Sequence, residues 1–191
     1  MTKTLIRLSL IALIACALLW TPFPAAAKDL TGRLGVGYNK QISTPFISDD
    51  VVALPDYYIA TDELSAKFWF TEMFGMNILA GFNYSSYDET KGSNLTLGGK
   101  FLANLVQDSW CNFYVGGGPG VSIIHVDDGK RDDTSTGLIL MGFGGVEFFF
   151  QELPNLGFDL EFGLQYTDVG KYQGIGTYGG GYGTIGFHYY F

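Results

Sequence analysis

Large apolar side chains occupy every second position along residues 158 to 166, and small or polar ones lie between them. The two interleaved sets are Phe158, Leu160, Phe162, Leu164 and Tyr166, and Asp159, Glu161, Gly163, Gln165 and Thr167. Successive side chains of a β-strand point to opposite faces, whereas helical side chains repeat every 3.6 residues. The pattern therefore predicts a strand with one apolar face and one face of small and polar groups.

Similar stretches recur along the chain, which contains 27 glycine, 16 phenylalanine and 12 tyrosine residues. Such a mixture of glycine and aromatic residues in alternation favours strands, so we predict an all-β fold. Each stretch covers the roughly 9 to 11 residues that a tilted strand needs to cross a membrane. Eight strands are predicted at about 30 to 40, 58 to 70, 75 to 87, 94 to 106, 112 to 126, 137 to 150, 156 to 169 and 179 to 191.

The connections between these strands alternate in length. Three are short, with the sequences TEMF, QDSWC and QELPN, whereas 41 to 57, 88 to 93, 127 to 136 and 170 to 178 are mostly longer and polar. Short turns at one end and longer loops at the other are typical of outer-membrane barrels. The layout predicts an eight-stranded antiparallel up-and-down transmembrane β-barrel.

Side-chain size indicates which face points inward. In the fourth and fifth predicted strands, Leu97, Phe101 and Val121 share one face, and Gly98 and Gly120 lie on the other. Small residues suit the narrow interior of eight strands, whereas the surface of a soluble barrel would carry many lysines and glutamates. We therefore expect the bulky residues to face lipid, in preference to the alternative of a soluble, lipocalin-like barrel.

The last strand ends the chain on an alternating, aromatic sequence. This IGFHYYF segment resembles the signal by which bacterial outer-membrane proteins are recognised by the barrel-assembly machinery. The signal residues are Ile185, Phe187, Tyr189 and Phe191. Together with YVGGGPGV at 114 to 121 and VEFFFQELPNLGFDLEFGLQY at 146 to 166, the segment resembles the small OmpA-type, porin-like family of eight-stranded outer-membrane β-barrels. The resemblance implies a polar plug in the lumen rather than a wide channel.

Residues 1 to 27 are predicted to be a cleaved secretory signal peptide, followed by a barrel domain over residues 28 to 191. Lys3 and Arg7 precede an uninterrupted apolar run that ends at Trp20, and Ala25 to Ala27 form a small-residue cleavage site. The run is shorter than the roughly 20 residues of a membrane-spanning helix. A lipoprotein signal at Cys16 is the alternative reading. We expect an integral, monomeric protein of a Gram-negative outer membrane, in contact with its lipid and lipopolysaccharide.

Charge and cysteine content exclude several kinds of site. Cleavage would remove two of the 11 basic residues and none of the 19 acidic ones, leaving a net charge of about −10, which is unfavourable for nucleic-acid binding. Only Cys111 would remain, so no intramolecular disulfide and no multi-cysteine metal site is expected. No cofactor and no metal site is predicted.

Ionisable residues on the small-residue face are predicted to form a charge network in the lumen. Three bases oppose three acids, and a histidine joins them: Arg33, Lys67, Lys100, Glu147, Asp159, Glu161 and His188. Unpaired charges in a narrow, dry space would be costly, so the near-balance favours a charge-paired, largely plugged lumen. A narrow pore for small solutes or ions, with a selectivity set by these charges, is the alternative.

Motifs for enzymatic chemistry are weak. Ser122 and His125 would lie on opposite faces of one strand, and the Gly174 to Gly179 segment matches a dinucleotide-binding pattern without a helix after it. We expect no enzymatic activity and no catalytic residues, and a role in envelope integrity or in surface interaction through acidic outer loops. A lipid-modifying outer-membrane enzyme is the second alternative, because eight-stranded barrels can carry such activities.

Overall fold

The computed structural model describes residues 28–42, 62–87, 90–127, 129, 132–170, 172–178 and 183–191. The predicted signal peptide, residues 1 to 27, lies outside these ranges, as does most of the first long connection. In the described residues, no helix is both long and apolar enough to cross a membrane.

The described residues form nine strands. They are β1 (Leu34–Gln41), β2 (Glu63–Trp69), β3 (Phe74–Tyr87), β4 (Thr90–Gln107), β5 (Cys111–Asp127), β6 (Asp132–Phe150), β7 (Leu153–Val169), β8 (Tyr172–Thr177) and β9 (Thr184–Tyr190). The prediction of an all-β chain is confirmed.

The strands close into one antiparallel barrel. From β1 to β8 each strand pairs with the next one in the chain, and β1 pairs with β9, so that the first and last strands join. β8 and β9 both pair with β7, at Leu164 to Val169 and at Leu156 to Glu161 respectively. β8 and β9 together therefore form the eighth strand, which confirms the predicted eight-stranded barrel.

The eighth strand is interrupted between Thr177 and Thr184, and we call this interruption the excursion. Leu164 of β7 pairs with Thr177, and Glu161 of β7 pairs with Thr184. Between these two pairs β7 advances by three residues, whereas the eighth strand advances from Thr177 to Thr184. The eighth strand thus holds more residues than β7 over this interval, and the side chain of Tyr178 is buried. The sequence interpretation of 170 to 178 as an outer loop is wrong, since 172 to 177 pair with β7. Because Gly174 and Gly176 lack side chains, the alternation of side-chain type that indicates a strand was not recognisable in this segment.

The two ends of the barrel differ, although less than the sequence predicts. The short connections 70–73, 108–110 and 151–152 lie at the end that also holds Phe191, which we call the turn end. At the opposite, loop end, 88–89, 128–131 and 170–171 are also short, because the strands continue into the predicted loops. β6 alone contains 19 residues, well beyond the roughly 9 to 11 needed to cross a membrane. Hairpins thus replace three of the predicted loops.

The two faces of the wall follow the predicted alternation. Along β9, Thr184, Gly186, His188 and Tyr190 are buried, whereas Ile185, Phe187 and Tyr189 are exposed. The same holds along β2, where Glu63, Ser65, Lys67 and Trp69 are buried. The terminal Phe191 points outward, and its N–H donates to the carbonyl of Leu34 at 3.0 Å. Closure of the barrel therefore holds the last strand in place, with all four predicted assembly-signal side chains on the outer surface.

Candidate functional site in the barrel lumen

Six of the seven predicted lumen residues meet in the middle of the barrel. They lie on β2, β4, β6, β7 and β9, and at most 2% of each residue is exposed: Lys67, Lys100, Glu147, Asp159, Glu161 and His188. We call this set the lumen network. It forms because each residue occupies an inward position of its own strand, at a similar height in the wall.

The first part of the lumen network is centred on Lys67. Its Nζ donates to a carboxylate oxygen of Asp159 and lies 3.3 Å from Oε1 of Glu147. Tyr190 donates its hydroxyl hydrogen to the same Glu147 oxygen at 2.6 Å. β2 and β6 are directly opposite in an eight-stranded barrel, so the contact between Lys67 and Glu147 crosses the full width of the lumen.

The second part is the ion pair of Lys100 and Glu161, whose Nζ and Oε2 atoms are 2.7 Å apart. Thr184 donates to the same glutamate oxygen at 3.2 Å. The hydroxyl of Tyr114 lies 3.0 Å both from Asp159 Oδ1 and from Glu161 Oε1, so this side chain links the two parts. Buried ion pairs of this kind are retained only when hydrogen bonds satisfy the remaining polar atoms.

His188 connects the lumen network to Ser65 across the junction of the first and last strands. Its Nδ1 lies 2.5 Å from Asp159 Oδ2, and its Nε2 lies 2.5 Å from the hydroxyl oxygen of Ser65. The imidazole reaches Ser65 by passing over Gly37 of β1, where an added Cβ would be only 2.8 Å from His188 Cδ2. A side chain at position 37 would therefore clash with the ring and, at 1.9 Å, with the backbone oxygen of Phe187.

Aromatic groups border the lumen network toward the loop end. The ring of Tyr178, delivered by the excursion in the eighth strand, stacks on Phe143 with centroids 5.1 Å apart. The Nζ of Lys100 lies 5.0 Å from the Phe143 centroid and 5.2 Å from that of Tyr178. A cation near two aromatic faces is stabilised by their quadrupoles.

The segment before β1 occupies the turn end. Leu30 is buried with Trp69, Phe149 and Tyr190 in one apolar cluster. The Nζ of Lys28 lies 4.1 Å from the centre of the Phe149 ring. Burial and, to a smaller extent, nearby Arg33 lower the pKa of Lys28 to about 8, against the opposing effect of Glu147.

Arg33 is placed apart from the lumen network. Its guanidinium donates to the carbonyl oxygens of Tyr190 and Phe191 and to the side-chain oxygen of Asn155. The residue precedes β1 at the turn end, so its long side chain binds backbone at the edge of the barrel. It fastens the end of the last strand and makes no ion pair with the buried acids.

Several lumen residues were missed by the sequence analysis. Glu63 and Ser65 are buried on the face of β2 that carries Lys67, and the tyrosines at 114, 178 and 190 contribute hydroxyl groups or rings to the interior. Glu63 and Ser65 could have been found, because they lie four and two residues before Lys67 in a strand. Tyr178 gave no such signal, since its position depends on the excursion.

A small cavity lies between Tyr178 and the loop end. Its volume is about 20 Å³, which is close to the space of one water molecule. Its lining includes Glu63, Gln41, Thr96 and Gln165. Leu79, Ile139 and Met141 complete a largely apolar lining, and the cavity is small compared with a ligand pocket of several hundred Å³.

The arrangement suggests two kinds of chemistry besides charge pairing. Ser65, His188 and Asp159 are connected in the order of a serine-hydrolase triad. Glu147, Asp159 and His188 each offer one metal-ligating atom, and these atoms lie within 4.8 Å of one another. Both sets share His188 and Asp159, so they describe alternative uses of one site.

Ser122 and His125 were considered as a nucleophile and a base near the loop end. They do not form a site in the described part of the chain. The hydroxyl of Ser122 points inward and donates to Asn94 at 2.8 Å. His125 is partly exposed and contacts Thr134 at 3.1 Å and Asp132 at 3.5 Å. Ser122 and His125 therefore do not form a nucleophile and base pair.

Comparison with known proteins identifies the fold. No protein-family model matches the chain, and no curated protein matches its sequence. The N-terminal β-barrel domain of Pseudomonas aeruginosa OprF superposes with a TM-score of 0.52 and 11% identity, over 84% of this chain and 98% of that one. Neisserial surface protein A gives 0.50 and 16%, over 83% and 95%.

The attachment invasion locus protein Ail of Yersinia pestis has a TM-score of 0.49 and 12% identity, over 84% of this chain and 99% of that one. All three proteins are small eight-stranded outer-membrane barrels. Identities this low establish shared architecture alone. The chain thus has the fold of the small eight-stranded outer-membrane β-barrels.

Proposed function

We propose that the protein is a monomeric, non-enzymatic outer-membrane barrel with a plugged lumen, which supports envelope integrity or surface interaction through its loop end. The observation that carries this proposal is the contact of 3.3 Å between Lys67 and Glu147, on opposite walls of the barrel. An ion pair that spans the lumen narrows it at that height, which supports a plug. The Lys100 and Glu161 pair and the Tyr178 ring obstruct the next layers toward the loop end.

The outer surface supports insertion into a membrane. Large apolar side chains are exposed around the barrel, among them Leu64, Phe82, Phe101, Leu105 and Leu164. A continuous apolar surface of this kind is typical of a lipid-facing or interaction surface and not of a soluble monomer. The fold similarity and the outward position of the terminal aromatic side chains favour the outer membrane, its lipid and lipopolysaccharide, and recognition by the barrel-assembly machinery.

An arginine at Leu164 should destabilise the barrel more than an arginine at Gln165. Leu164 is 63% exposed and would place the charge in lipid, at a cost of about 2 to 4 kcal/mol near the bilayer midplane. Gln165 is 9% exposed, lies at the same depth, and lines the small cavity together with Glu63. Urea titrations of protein folded into liposomes measure both costs. The opposite order would mean that the two faces are reversed.

Planar-bilayer recordings test the plugged lumen against the narrow pore. We expect refolded wild-type protein to show little steady conductance, and Lys100→Met to raise it by removing one half of an ion pair in the lumen. Lys91→Met is the matched control, because Lys91 lies exposed near the loop end of the same strand. Steady wild-type channels, unchanged by Lys100→Met, would instead support the pore.

A lipid-modifying or other hydrolytic enzyme is the second candidate, and the order of Ser65, His188 and Asp159 is the observation in its favour. Ser65 is only 5% exposed, however, and Asp159 also accepts hydrogen bonds from Lys67 and Tyr114. A nucleophile needs space beside it for the reacting carbonyl. Labelling by a fluorophosphonate in the wild type but not in Ser65→Ala would favour the enzyme.

A further inference from the structure

Three ligand-type side chains converge on one point of the lumen network. Glu147 on β6, Asp159 on β7 and His188 on β9 each bring one oxygen or nitrogen within 4.8 Å of the other two. Two carboxylates and one imidazole form a ligand set that divalent transition metals accept. A set of hydrogen bonds alone would also explain this convergence. The hydrogen-bond partners of each ligand-type atom therefore have to be considered.

The hydrogen bonds leave suitable atoms for a metal. Oε1 of Glu147 is used by Lys67 and Tyr190, whereas Oε2 is fully buried and has no hydrogen-bond partner. Oδ1 of Asp159 is used by Lys67 and Tyr114, so that Oδ2 contacts His188. Glu147 thus has one buried oxygen without a partner, whereas the second oxygen of Asp159 is shared with His188, itself one of the three ligand-type side chains. A buried carboxylate oxygen without a partner costs free energy that a bound cation would offset.

The charges of the buried side chains also favour a cation. Among the described residues, four carboxylates are buried, those of Glu63, Glu147, Asp159 and Glu161. Three ammonium groups are buried with them, those of Lys67, Lys100 and Lys28, whose Nζ has no hydrogen-bond partner. With a neutral His188 the formal sum is −1, so the buried charge is negative. Arg33 does not contribute, because its side chain lies at the turn end.

Ser65 is placed to orient the imidazole in the bound state. A metal-ligating histidine commonly donates its other ring N–H to an oxygen, which fixes the tautomer. Ser65 Oγ lies 2.5 Å from Nε2 of His188 and can accept that hydrogen bond, which leaves Nδ1 free to bind the ion. Binding would require the neutral imidazole to carry its hydrogen on Nε2 in place of Nδ1, and would replace the contact of Nδ1 with Asp159 Oδ2.

We propose that the lumen holds one divalent transition-metal ion of the zinc type, bound by Glu147, Asp159 and His188. Lys67, Tyr114 and Tyr190 hold the remaining carboxylate oxygens, and Ser65 holds the imidazole. The nitrogen ligand and the small number of oxygens disfavour calcium and magnesium, which prefer six or more oxygen ligands. The proposal is independent of whether the lumen conducts, since conductance and metal content are measured separately.

The test is metal content after refolding. Full-length mature protein is refolded in detergent with zinc chloride, passed through gel filtration in metal-free buffer, and analysed for zinc, with heat-modified mobility on gels as the measure of folding. We expect about one zinc per folded wild-type chain, as in protein sites with three ligands. Refolding with cobalt(II) should give visible absorption bands of an imidazole and carboxylate site.

The two histidines of the chain provide matched variants. His188→Gln should lose the ion and the cobalt bands, whereas His125→Gln should keep both, because His125 lies near the loop end and outside the site. Ser65→Ala should weaken zinc binding by about 10- to 100-fold. If His188→Gln does not fold, Ser65→Ala and the cobalt spectrum of the wild type decide the question.

If folded wild-type protein contained no zinc, the proposal would be wrong. The short contact between Asp159 and His188 would then be a hydrogen bond and not part of a metal site. Equal zinc in the wild type and in His188→Gln would also overturn it, because the ion would then be bound elsewhere.

Discussion

Replacing Lys67 by methionine is expected to destabilise the folded barrel by about 3 to 5 kcal/mol. Lys67 is fully buried and is the ammonium group in contact with both Asp159 and Glu147. Its loss leaves two carboxylates without their compensating charge in a site from which water is excluded. Methionine has a similar length, so the effect reports the charge more than the volume.

Lys40→Met is the control for this measurement. Lys40 pairs with Asp62 at 3.5 Å, but both side chains are about half exposed or more, so that pair should contribute at most about 1 kcal/mol. Reversible urea titrations in liposomes give both free energies of unfolding. Equal small losses for the two variants would mean that the lumen around Lys67 is hydrated.

Lys100→Met and Glu161→Gln should each destabilise the barrel by about 3 to 5 kcal/mol, and the double variant should recover part of the loss. The two side chains are 2.7 Å apart and both are buried, so each single change leaves the other charge unpaired. Thr184 and Tyr114 continue to bind Glu161 in Lys100→Met, which will reduce the cost somewhat.

The double-variant cycle in the same liposome assay isolates the coupling between Lys100 and Glu161. The matched second pair is Lys100→Met with Gln173→Ala, because Gln173 is exposed and has no contact with Lys100. That cycle should be additive. Additive losses in the Lys100 and Glu161 cycle would contradict a direct ion pair.

The faces of the wall were predictable from sequence because side-chain alternation is local. Asp159 and Glu161 alternate with Leu160 and Phe162, and this alone places the acids inside once the bulky set is assigned to lipid. The contact of Lys100 with Glu161 was not fixed by any pattern, since it depends on the register between strands and on the width of the barrel.

The parts that sequence reasoning missed have physical causes of their own. β8 lacks the alternation signal because glycine occupies two of its positions. By the alternation of inward and outward positions, Arg33 belongs to the inward set. It lies before the first strand, however, and binds the carbonyls of Tyr190 and Phe191. Tyr178 enters the lumen only because the eighth strand is interrupted after Thr177. The periodicity of the sequence does not indicate such an interruption.

The seam between β1 and β9 gives the lumen network a role in the kinetics of the barrel. Lys67 and Ser65 lie on one side of this seam, and their partners Asp159 and His188 lie on the other, 92 and 123 residues away in the chain. Contacts of such sequence separation form late, because chain entropy must be lost before they can be made. These contacts form after the barrel has closed, and they then oppose the separation of β1 from β9. Weakening them should therefore mainly accelerate opening of the seam and change the rate of folding little.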